Sequence, residues 1–192
     1  GFMAQMPFLL EPWEKAVVAA TFGIINPKDN KRQFREVVII IARKNGKTLL
    51  AAAIAKYVLC NGDFGTRVYC VAPKLDQADI IYGGVWQMVQ LDPDWQELNQ
   101  LSQEKDTQHR KVHDDSMLAR HRQTDLSIPG SNSTVKKVSY MSRDLNGYNP
   151  SLSICDEVAS WSGDKGLKAY EVIKSAMGAR PEGILRSCTT SG

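Results

Sequence analysis

The stretch "EVVIIIARKNGKTLL", residues 36–50, joins an apolar, β-branched run to a turn that contains glycine and then to a leucine- and alanine-rich segment. The run at 36–42 shows no polar alternation, which predicts a strand buried on both faces. The segment that begins at Lys47 predicts a helix that ends at Asn61 and Gly62. A buried strand followed at once by a helix is the repeating unit of a parallel α/β sheet.

The same alternation continues along the chain. Further strands are predicted at 66–73, 136–142, 151–157 and 182–192, and further helices at 11–23, 75–91 and 166–178. Residues 26–33 predict a polar loop, Gly83 and Gly84 weaken the middle of the second helix, and residues 92–130 are too polar for a clear prediction. The pattern predicts a three-layer α/β/α fold with a mostly parallel central sheet, in which the residues after each strand meet at one edge.

Length and composition favour one soluble α/β domain. The 192 residues are 43% hydrophobic and 23% charged, and the net charge of +3 is compatible with a nucleic-acid partner without arguing for one. No apolar run reaches the roughly 18 residues that span a bilayer, and the N-terminus is a poor signal peptide. The four cysteines have no C-x-x-C spacing, which indicates reduced, buried side chains in a cytosolic protein.

Residues 41–48 resemble a phosphate-binding loop of the pattern G-x-x-x-x-G-K-[ST]. Gly46, Lys47 and Thr48 fill its second half, whereas Ile41 stands in the place of the first glycine. A strand before the loop and a helix after it are the context that such a loop needs, because N–H groups at the helix start then face the phosphates. We expect Lys47 to reach the β- and γ-phosphates and the Thr48 hydroxyl to bind Mg²⁺. The alternative is a chance tripeptide at the head of a helix.

The residues beside that half-motif extend the predicted site. The backbone of Asn45 joins Gly46, Lys47 and Thr48 in the expected phosphate cradle, and Arg43 and Lys44 add positive charge beside it. Arg43 is the stronger candidate for a contact with the γ-phosphate. The alternative for both cations is a solvated loop charge.

Two adjacent carboxylates follow the strand predicted at 151–157. Asp156 is expected to hold Mg²⁺, directly or through water, and Glu157 to act on the attacking water as a general base. The alternative is a pair of capping acids at a junction between a strand and a loop. That alternative loses weight because the acids and the phosphate loop fall on the same edge of the predicted sheet.

The last predicted strand ends in small hydroxyl residues. Thr189, Thr190 and Ser191, followed by Gly192, are candidates to sense the γ-phosphate and to couple its loss to movement. An ordinary polar turn explains the same residues equally well.

Five segments taken together resemble the ATPase domain of the large terminase subunits, the DNA-packaging motors of tailed bacteriophages, and in particular the group typified by phage HK97. These segments are "PFLLEPWEKAVV" (7–18), "ARKNGKTLLAAAIA" (42–55), "VYCVAPKLDQADIIY" (68–82), "LNGYNPSLSICDE" (145–157) and "CTTSG" (188–192). They resemble, in the family's order, its adenine-side motif, its variant phosphate loop, the segment after its second strand, its acidic motif and its coupling motif. The resemblance covers nearly the whole chain.

The resemblance implies a P-loop NTPase fold of the ASCE, RecA/helicase-like class that uses ATP and Mg²⁺. It further implies a motor that drives double-stranded DNA into a procapsid in the cytoplasm of a bacterial host, without a membrane. Portal protein, a small terminase subunit and a homo-oligomeric ring, commonly a pentamer, are the implied partners. Residues 1–192 would be the motor domain alone, and we expect no nuclease activity, because the family's nuclease domain would follow residue 192.

The resemblance also implies roles for single residues. Trp13 and Glu14 fall on the adenine-side motif, where Glu14 replaces the usual glutamine and leaves base selectivity open. Arg143 stands where some relatives donate an arginine to the neighbouring subunit's site, and Arg120 and Arg122 are weaker candidates for that role. A surface charge paired with Asp144 is the alternative for Arg143.

Other features and functions carry less weight. His109 and His113 have the i, i+4 spacing of a metal pair, but their surroundings are poorly helical and no cysteine joins them. A helicase-like or remodelling nucleic-acid ATPase shares the strand order and the acidic motif, yet a helicase needs a second ATPase-like domain. A nucleotide-binding module that does not hydrolyse is the third possibility, and Glu157 argues against it.

Overall fold

The computed structural model describes residues 9–42, 44–95, 120–121, 125–141, 147–178 and 184–190, and for residues 120–121, 129 and 184–190 it describes the backbone alone. The helices whose two ends both lie within the described residues are α1 (Pro12–Val18), α2 (Lys47–Asn61), α3 (Leu75–Gln90) and α4 (Gly163–Met177). The strands are β1 (Ile25–Asn26), β2 (Lys31–Arg32), β3 (Glu36–Ile41), β4 (Arg67–Ala72), β5 (Arg120–His121), β6 (Asp125–Ile128), β7 (Ser133–Ser139), β8 (Leu152–Cys155) and β9 (Ile184–Thr190). A π-helical turn, Ala19–Gly23, extends α1, and 3₁₀ turns occur at Pro129–Ser131 and Val158–Ser160.

Seven strands form one sheet in the order β3-β9-β8-β4-β7-β6-β5. The five strands from β3 to β7 are parallel, whereas β6 and β5 continue the sheet in antiparallel pairs. The predicted α/β fold with a mostly parallel sheet is therefore confirmed. The two antiparallel strands were not predicted, because they are short and lie in the polar stretch at 92–130.

The direction of each crossover places the helices on the two faces of the sheet. The connections from β3 to β4 and from β4 to β7 run one way along the sheet, and the connection from β8 to β9 runs the other way. Right-handed crossovers therefore put α2 and α3 on one face and α4 on the opposite face. The core lies mainly between the sheet and the α2–α3 pair, where Leu50, Ile54, Val68 and Val85 are almost fully buried.

The strand that precedes the phosphate loop differs from its prediction. Among the described residues β3 pairs with β9 alone, so it is an edge strand. Ile39 is 5% exposed, but Val38 is 56% exposed and Ile40 is 63% exposed. The prediction of a strand buried on both faces is therefore wrong for one face, because apolar composition does not reveal a strand's position in the sheet.

Smaller differences concern turns and cysteines. The loop predicted at 26–33 contains the β1–β2 hairpin, and α3 continues through Gly83 and Gly84 without a break. A Cβ on Gly84 would lie 3.0 Å from the Ala52 Cβ, so this glycine lets α3 approach α2 closely. Cys70 and Cys155 are buried as expected, whereas Cys60 is exposed at the end of α2. Within the described residues, no helix is both long and apolar enough to cross a bilayer.

Candidate active site

The carboxyl ends of β3, β8 and β9 meet at one edge of the sheet. Ile41, the last residue of β3, pairs with Thr190, the last residue of β9, and Cys155 at the end of β8 pairs with Ser187. The segments that leave β3 and β8 therefore start from the same edge of the sheet, on the two sides of β9, as expected for the ligand edge of an open α/β sheet.

The loop after β3 is a tight turn that ends on the first residues of α2. Lys44 and Gly46 both adopt left-handed backbone conformations, with φ of 67° and 75°. The Asn45 side chain donates a hydrogen bond to the Ala42 carbonyl at 3.2 Å, which closes the turn on itself. The N–H groups at the start of α2, a helix of 15 residues, thus face outward from the sheet edge, where they can bind an anion.

Lys47 joins this loop to the acidic segment after β8. Its ammonium nitrogen lies 3.1 Å from Glu157 Oε1 and 3.5 Å from Asp156 Oδ1, although the bonded residues are 110 positions apart in sequence. The Lys47 side chain is 10% exposed, so the contact lies in a partly desolvated position, where charges interact more strongly than in water. The structure thus brings together three residues that the sequence placed in one site.

Asp156 provides an oxygen that suits a magnesium ion. The residue is 8% exposed, and its Oδ1 atom has no hydrogen-bond partner among the described residues. Burial raises the pKa of this carboxyl group above its ordinary value, and the nearby Lys47 charge opposes that rise in part. This buried oxygen has the Lys47 ammonium 3.5 Å away but accepts no hydrogen bond from the described residues, and a carboxylate oxygen of this kind is the hard ligand that Mg²⁺ prefers.

Thr48 lies in the first turn of α2, next to Lys47, and is half-buried. The described residues contain no group of three or more His, Cys, Asp or Glu side chains that could hold a metal ion by themselves. The Asp156 carboxylate and the Thr48 hydroxyl are the oxygen groups of this part of the site that could hold a magnesium ion.

Glu157 is fixed by a strained turn. Its backbone is left-handed, with φ of 51° and ψ of 43°, which is uncommon outside glycine. Both the amide and the hydroxyl of Ser160 donate to the Glu157 carbonyl, at 2.8 and 2.7 Å. The Trp161 indole N–H donates to the Asp156 carbonyl at 3.0 Å and closes the turn from its other end. The two acids are therefore held by a hydrogen-bonded turn rather than by an open loop.

Trp161 is a functional candidate that sequence reasoning did not identify. It is 8% exposed and its ring lies 4.5 Å from that of Tyr140, just beyond β7. A tryptophan five positions after an acidic motif was the available signal, but the sequence does not show where an indole N–H points. In the structure, Trp161 holds the acidic turn through its hydrogen bond to the Asp156 carbonyl.

Glu14 lies against the phosphate loop from the other side. The residue is 3% exposed, and its Oε2 atom accepts a hydrogen bond of 2.8 Å from the backbone N–H of Glu11. Its Oε1 atom is 3.2 Å from the point where a Cβ on Gly46 would lie. Trp13, its neighbour in α1, is half-buried and packs against the core. Contact of these two residues with an adenine base stays a prediction.

Several predicted residues have no side-chain position in the described part of the chain. Arg43, Arg122, Arg143, Asp144, Ser191, Gly192, His109 and His113 lie outside the described residues. The backbone of Thr189 and Thr190 forms the end of β9 itself, rather than a segment after the strand, and Arg120 lies in β5. The roles predicted for all of them stay predictions.

Comparison with known proteins gives a consistent result. The family model described as "Terminase large subunit, ATPase domain" matches residues 12–192. The large terminase subunit of Enterobacteria phage HK97 is 26% identical over 187 residues, which cover 96% of this chain and 32% of that protein. The chain thus spans about a third of the length of this relative.

Solved structures show the same fold. The crystal structure of the HK97 bacteriophage large terminase superimposes with a TM-score of 0.71 at 24% identity, over 96% of this chain and 34% of that one. The large terminase ATPase domain of Thermus phage P74-26 gives a TM-score of 0.63 at 18% identity, over 96% and 66% of the two chains. At these identities, the likeness establishes the fold alone.

Proposed function

The chain belongs to the family of terminase large subunit ATPase domains, and from this premise we propose that it hydrolyses ATP with Mg²⁺ at the sheet edge where Lys47 meets Asp156 and Glu157. The observation that carries the proposal is the Lys47 contact with both acids, at 3.5 and 3.1 Å. It joins a phosphate-binding element to a candidate metal ligand and a candidate base in a single site. This combination is what hydrolysis of a phosphoanhydride requires.

Each residue of the site has a distinct task in the proposal. The N–H groups from Asn45 to Thr48 bind the β-phosphate, and Lys47 moves from the acids to the phosphates when ATP arrives. Asp156 and Thr48 hold Mg²⁺, which supplies positive charge to the phosphate oxygens when it is bound. Glu157, fixed by the turn that follows it, orients the attacking water and accepts its proton.

Other residues are assigned on the family resemblance. Arg43 and Lys44 add positive charge at the γ-phosphate end of the loop, and Trp13 and Glu14 lie on the nucleotide side of α1. Thr189 and Thr190, with Ser191 and Gly192 after them, couple loss of the γ-phosphate to movement. Residues 1–192 act as the motor domain.

The work that ATP hydrolysis drives is proposed from the family alone. We propose that the chain translocates double-stranded DNA into a procapsid, as part of a homo-oligomeric ring that engages a portal protein and a small terminase subunit in the host cytoplasm. Contacts with DNA in such a motor are expected to be made mostly with phosphates, which do not read sequence.

Replacement of Glu157 by glutamine tests the catalytic assignment. We expect Glu157→Gln to lower ATP turnover by about a hundredfold or more, because the amide cannot accept the proton of the attacking water, while nucleotide binding is retained. Glu171→Gln, at an exposed acid of α4, is the matched control and should hydrolyse ATP normally.

Two outcomes would contradict the proposal in different ways. Equal turnover by wild type and Glu157→Gln would remove the assigned base. Nucleotide binding without turnover by the wild type, even at high protein concentration, would favour a binding module that does not hydrolyse.

The arginine proposed to act in trans is tested by mixing variants. Arg143→Ala and Glu157→Gln are each expected to be inactive, because one lacks the arginine that it donates and the other lacks its own base. In a mixed ring, some interfaces combine an intact Glu157 site with an intact Arg143 from the neighbour, so turnover should partly return. Normal turnover by assembled Arg143→Ala alone would show that the assignment is wrong.

A further inference from the structure

The contact between Glu14 and Gly46 places a buried negative charge beside the phosphate cradle. Gly46 caps α2 and belongs to the turn whose N–H groups are proposed to bind phosphate. A Cβ built on this glycine would lie 3.2 Å from Glu14 Oε1, which is closer than ordinary van der Waals contact, and the Glu14 residue is 3% exposed. The ion pairs of the described residues do not include Glu14.

A charge in this position acts on any anion that the loop binds. Glu14 itself is 3% exposed, so water screens its carboxylate less than it screens a surface charge, although the loop residues Lys44, Asn45 and Gly46 are exposed. The sign is unfavourable, because both the carboxylate and the phosphates are negative. The N–H groups and Lys47 attract the phosphates, whereas Glu14 opposes them from behind the loop.

The polar contact of Glu14 explains why the carboxylate stays in this place. Its other oxygen accepts the backbone N–H of Glu11, the residue that caps α1, at 2.8 Å. Glutamine can accept the same hydrogen bond through its amide oxygen, since only a carbonyl-type acceptor is needed. The substitution Glu14→Gln can therefore remove the negative charge and keep the hydrogen bond from the backbone N–H of Glu11.

We propose that Glu14 sets the affinity of the phosphate loop: its buried carboxylate weakens nucleotide binding and so speeds the release of ADP. The inference rests on the proposed function, because it requires the loop to bind a nucleotide. It assigns Glu14 a role different from contact with the base, which is the role that the family resemblance implies for its position. In a motor that must empty its site in every cycle, a faster release of product shortens the cycle.

A base-free ligand separates the two roles. We would measure the binding of MgADP, MgGDP and magnesium pyrophosphate to wild type and Glu14→Gln by titration calorimetry, and ADP release by stopped flow. If Glu14 acts through its charge, all three ligands bind Glu14→Gln about tenfold tighter, and ADP leaves correspondingly more slowly. Glu11→Gln removes the same charge from an exposed position of the same cap, and it should change none of the three affinities.

Four results would overturn the inference. A changed ratio of ADP to GDP affinity with unchanged pyrophosphate binding would show that Glu14 contacts the base. Weaker binding of all three ligands by both Glu14→Gln and Glu14→Ala would show that the side chain only supports the loop. Identical affinities in wild type and Glu14→Gln would refute the inference while leaving the proposed function intact. Failure of the folded wild type to bind any of the three ligands would refute the proposed function and this inference with it.

Discussion

At the scale of one residue, the buried carboxylate of Asp156 lowers the stability of the fold, and it is also the proposed ligand of magnesium. Its carboxylate is buried, one of its oxygens has no hydrogen bond, and Lys47 at 3.5 Å does not fully offset the loss of hydration. A protein that needed only stability would place a neutral side chain there. In the proposed function the retained charge binds magnesium, and it lowers stability when the ion is absent.

Replacement of Asp156 by asparagine should therefore stabilise the protein in the absence of magnesium. Burial raises the pKa of Asp156 above its ordinary value of 3.8, so the folded protein loses stability as the pH rises from 3.8 to the raised pKa, and the loss is constant above it. Well below pH 3.8 the group is protonated in both the folded and the unfolded protein, and this cost vanishes. We expect Asp156→Asn to melt a few degrees above wild type at neutral pH and to lose ATP turnover.

Melting curves recorded without magnesium between pH 3.5 and 8 test this expectation. The difference in melting temperature between Asp156→Asn and wild type should grow with pH and then become constant. A difference that shrinks as the pH rises would mean that Lys47 stabilises the charged form more than burial destabilises it.

Trp161 permits a second test at the residue scale. Trp161→Phe keeps an aromatic ring beside Tyr140 but removes the N–H that donates to the Asp156 carbonyl at 3.0 Å. We expect about a tenfold lower kcat with nucleotide affinity nearly unchanged, together with a loss of about 1–2 kcal/mol in the free energy of unfolding, because a buried carbonyl loses its donor.

Trp86→Phe, at a half-buried tryptophan of α3, is the control for general loss of packing. Steady-state kinetics and urea unfolding of both variants separate the two effects. If Trp161→Phe loses stability but keeps its kcat, Trp161 supports the fold without positioning the acids.

The packing of α4 against the acidic turn belongs to the scale of secondary-structure elements. Gly166 lies in the first turns of α4, and a Cβ there would be 2.8 Å from both the carbonyl carbon and the oxygen of Trp161. These are backbone atoms, which cannot turn aside as a flexible side chain can. The close contact between α4 and the acidic turn therefore depends on the absence of a side chain at position 166.

Alanine substitutions at two helical glycines should have opposite effects. Gly166→Ala is expected to lower the free energy of unfolding by about 1–3 kcal/mol and to reduce ATP turnover, since it displaces Trp161. Gly83→Ala, in the middle of α3, meets nothing within 4 Å and should raise stability by about 0.5–1 kcal/mol. Urea unfolding measures both values, and equal effects of the two substitutions would contradict this account of α4 packing.

At the scale of the whole molecule, the face of β3 that carries Val38 and Ile40 is the largest departure from an ordinary buried sheet. Among the described residues, this strand has a partner on one side only, and its apolar side chains are more than half exposed on one face. Exposed apolar side chains on an open edge strand favour association with other molecules.

The double variant Val38→Thr/Ile40→Thr should reduce self-association of the purified chain without loss of stability. Threonine keeps the β-branched shape that a strand favours and removes apolar surface, so the free energy of unfolding should change by less than about 0.5 kcal/mol. Sedimentation velocity over a range of concentrations measures the effect. Ile39→Thr, on the buried face, should instead cost about 2 kcal/mol or more. Unfolding of the double variant would show that the exposed face is needed for the fold.

The fold class was predictable because it depends on local patterns that repeat along the chain. Apolar β-branched runs and alanine- and leucine-rich segments alternate, and this alternation leaves a parallel α/β sheet as the consistent architecture. The open edge at β3 was not predictable, since a strand that is buried on one face and one that is buried on both can have the same apolar sequence. The antiparallel strands β5 and β6 were not predicted for a different reason: short polar strands show no clear period in the hydrophobicity of their residues.

The chemical types in the site were determined by the sequence itself: a glycine-lysine-threonine turn between a strand and a helix, and two acids after another strand. The tertiary structure decided how they meet, since the parallel pairing of distant strands brings Lys47 to within 3.1 Å of Glu157 across 110 residues. It also decided the parts that no motif contains, namely the Trp161 hydrogen bond that closes the acidic turn and the Glu14 carboxylate behind Gly46. Such contacts depend on the direction of individual side chains, which packing sets and the order of residues does not reveal.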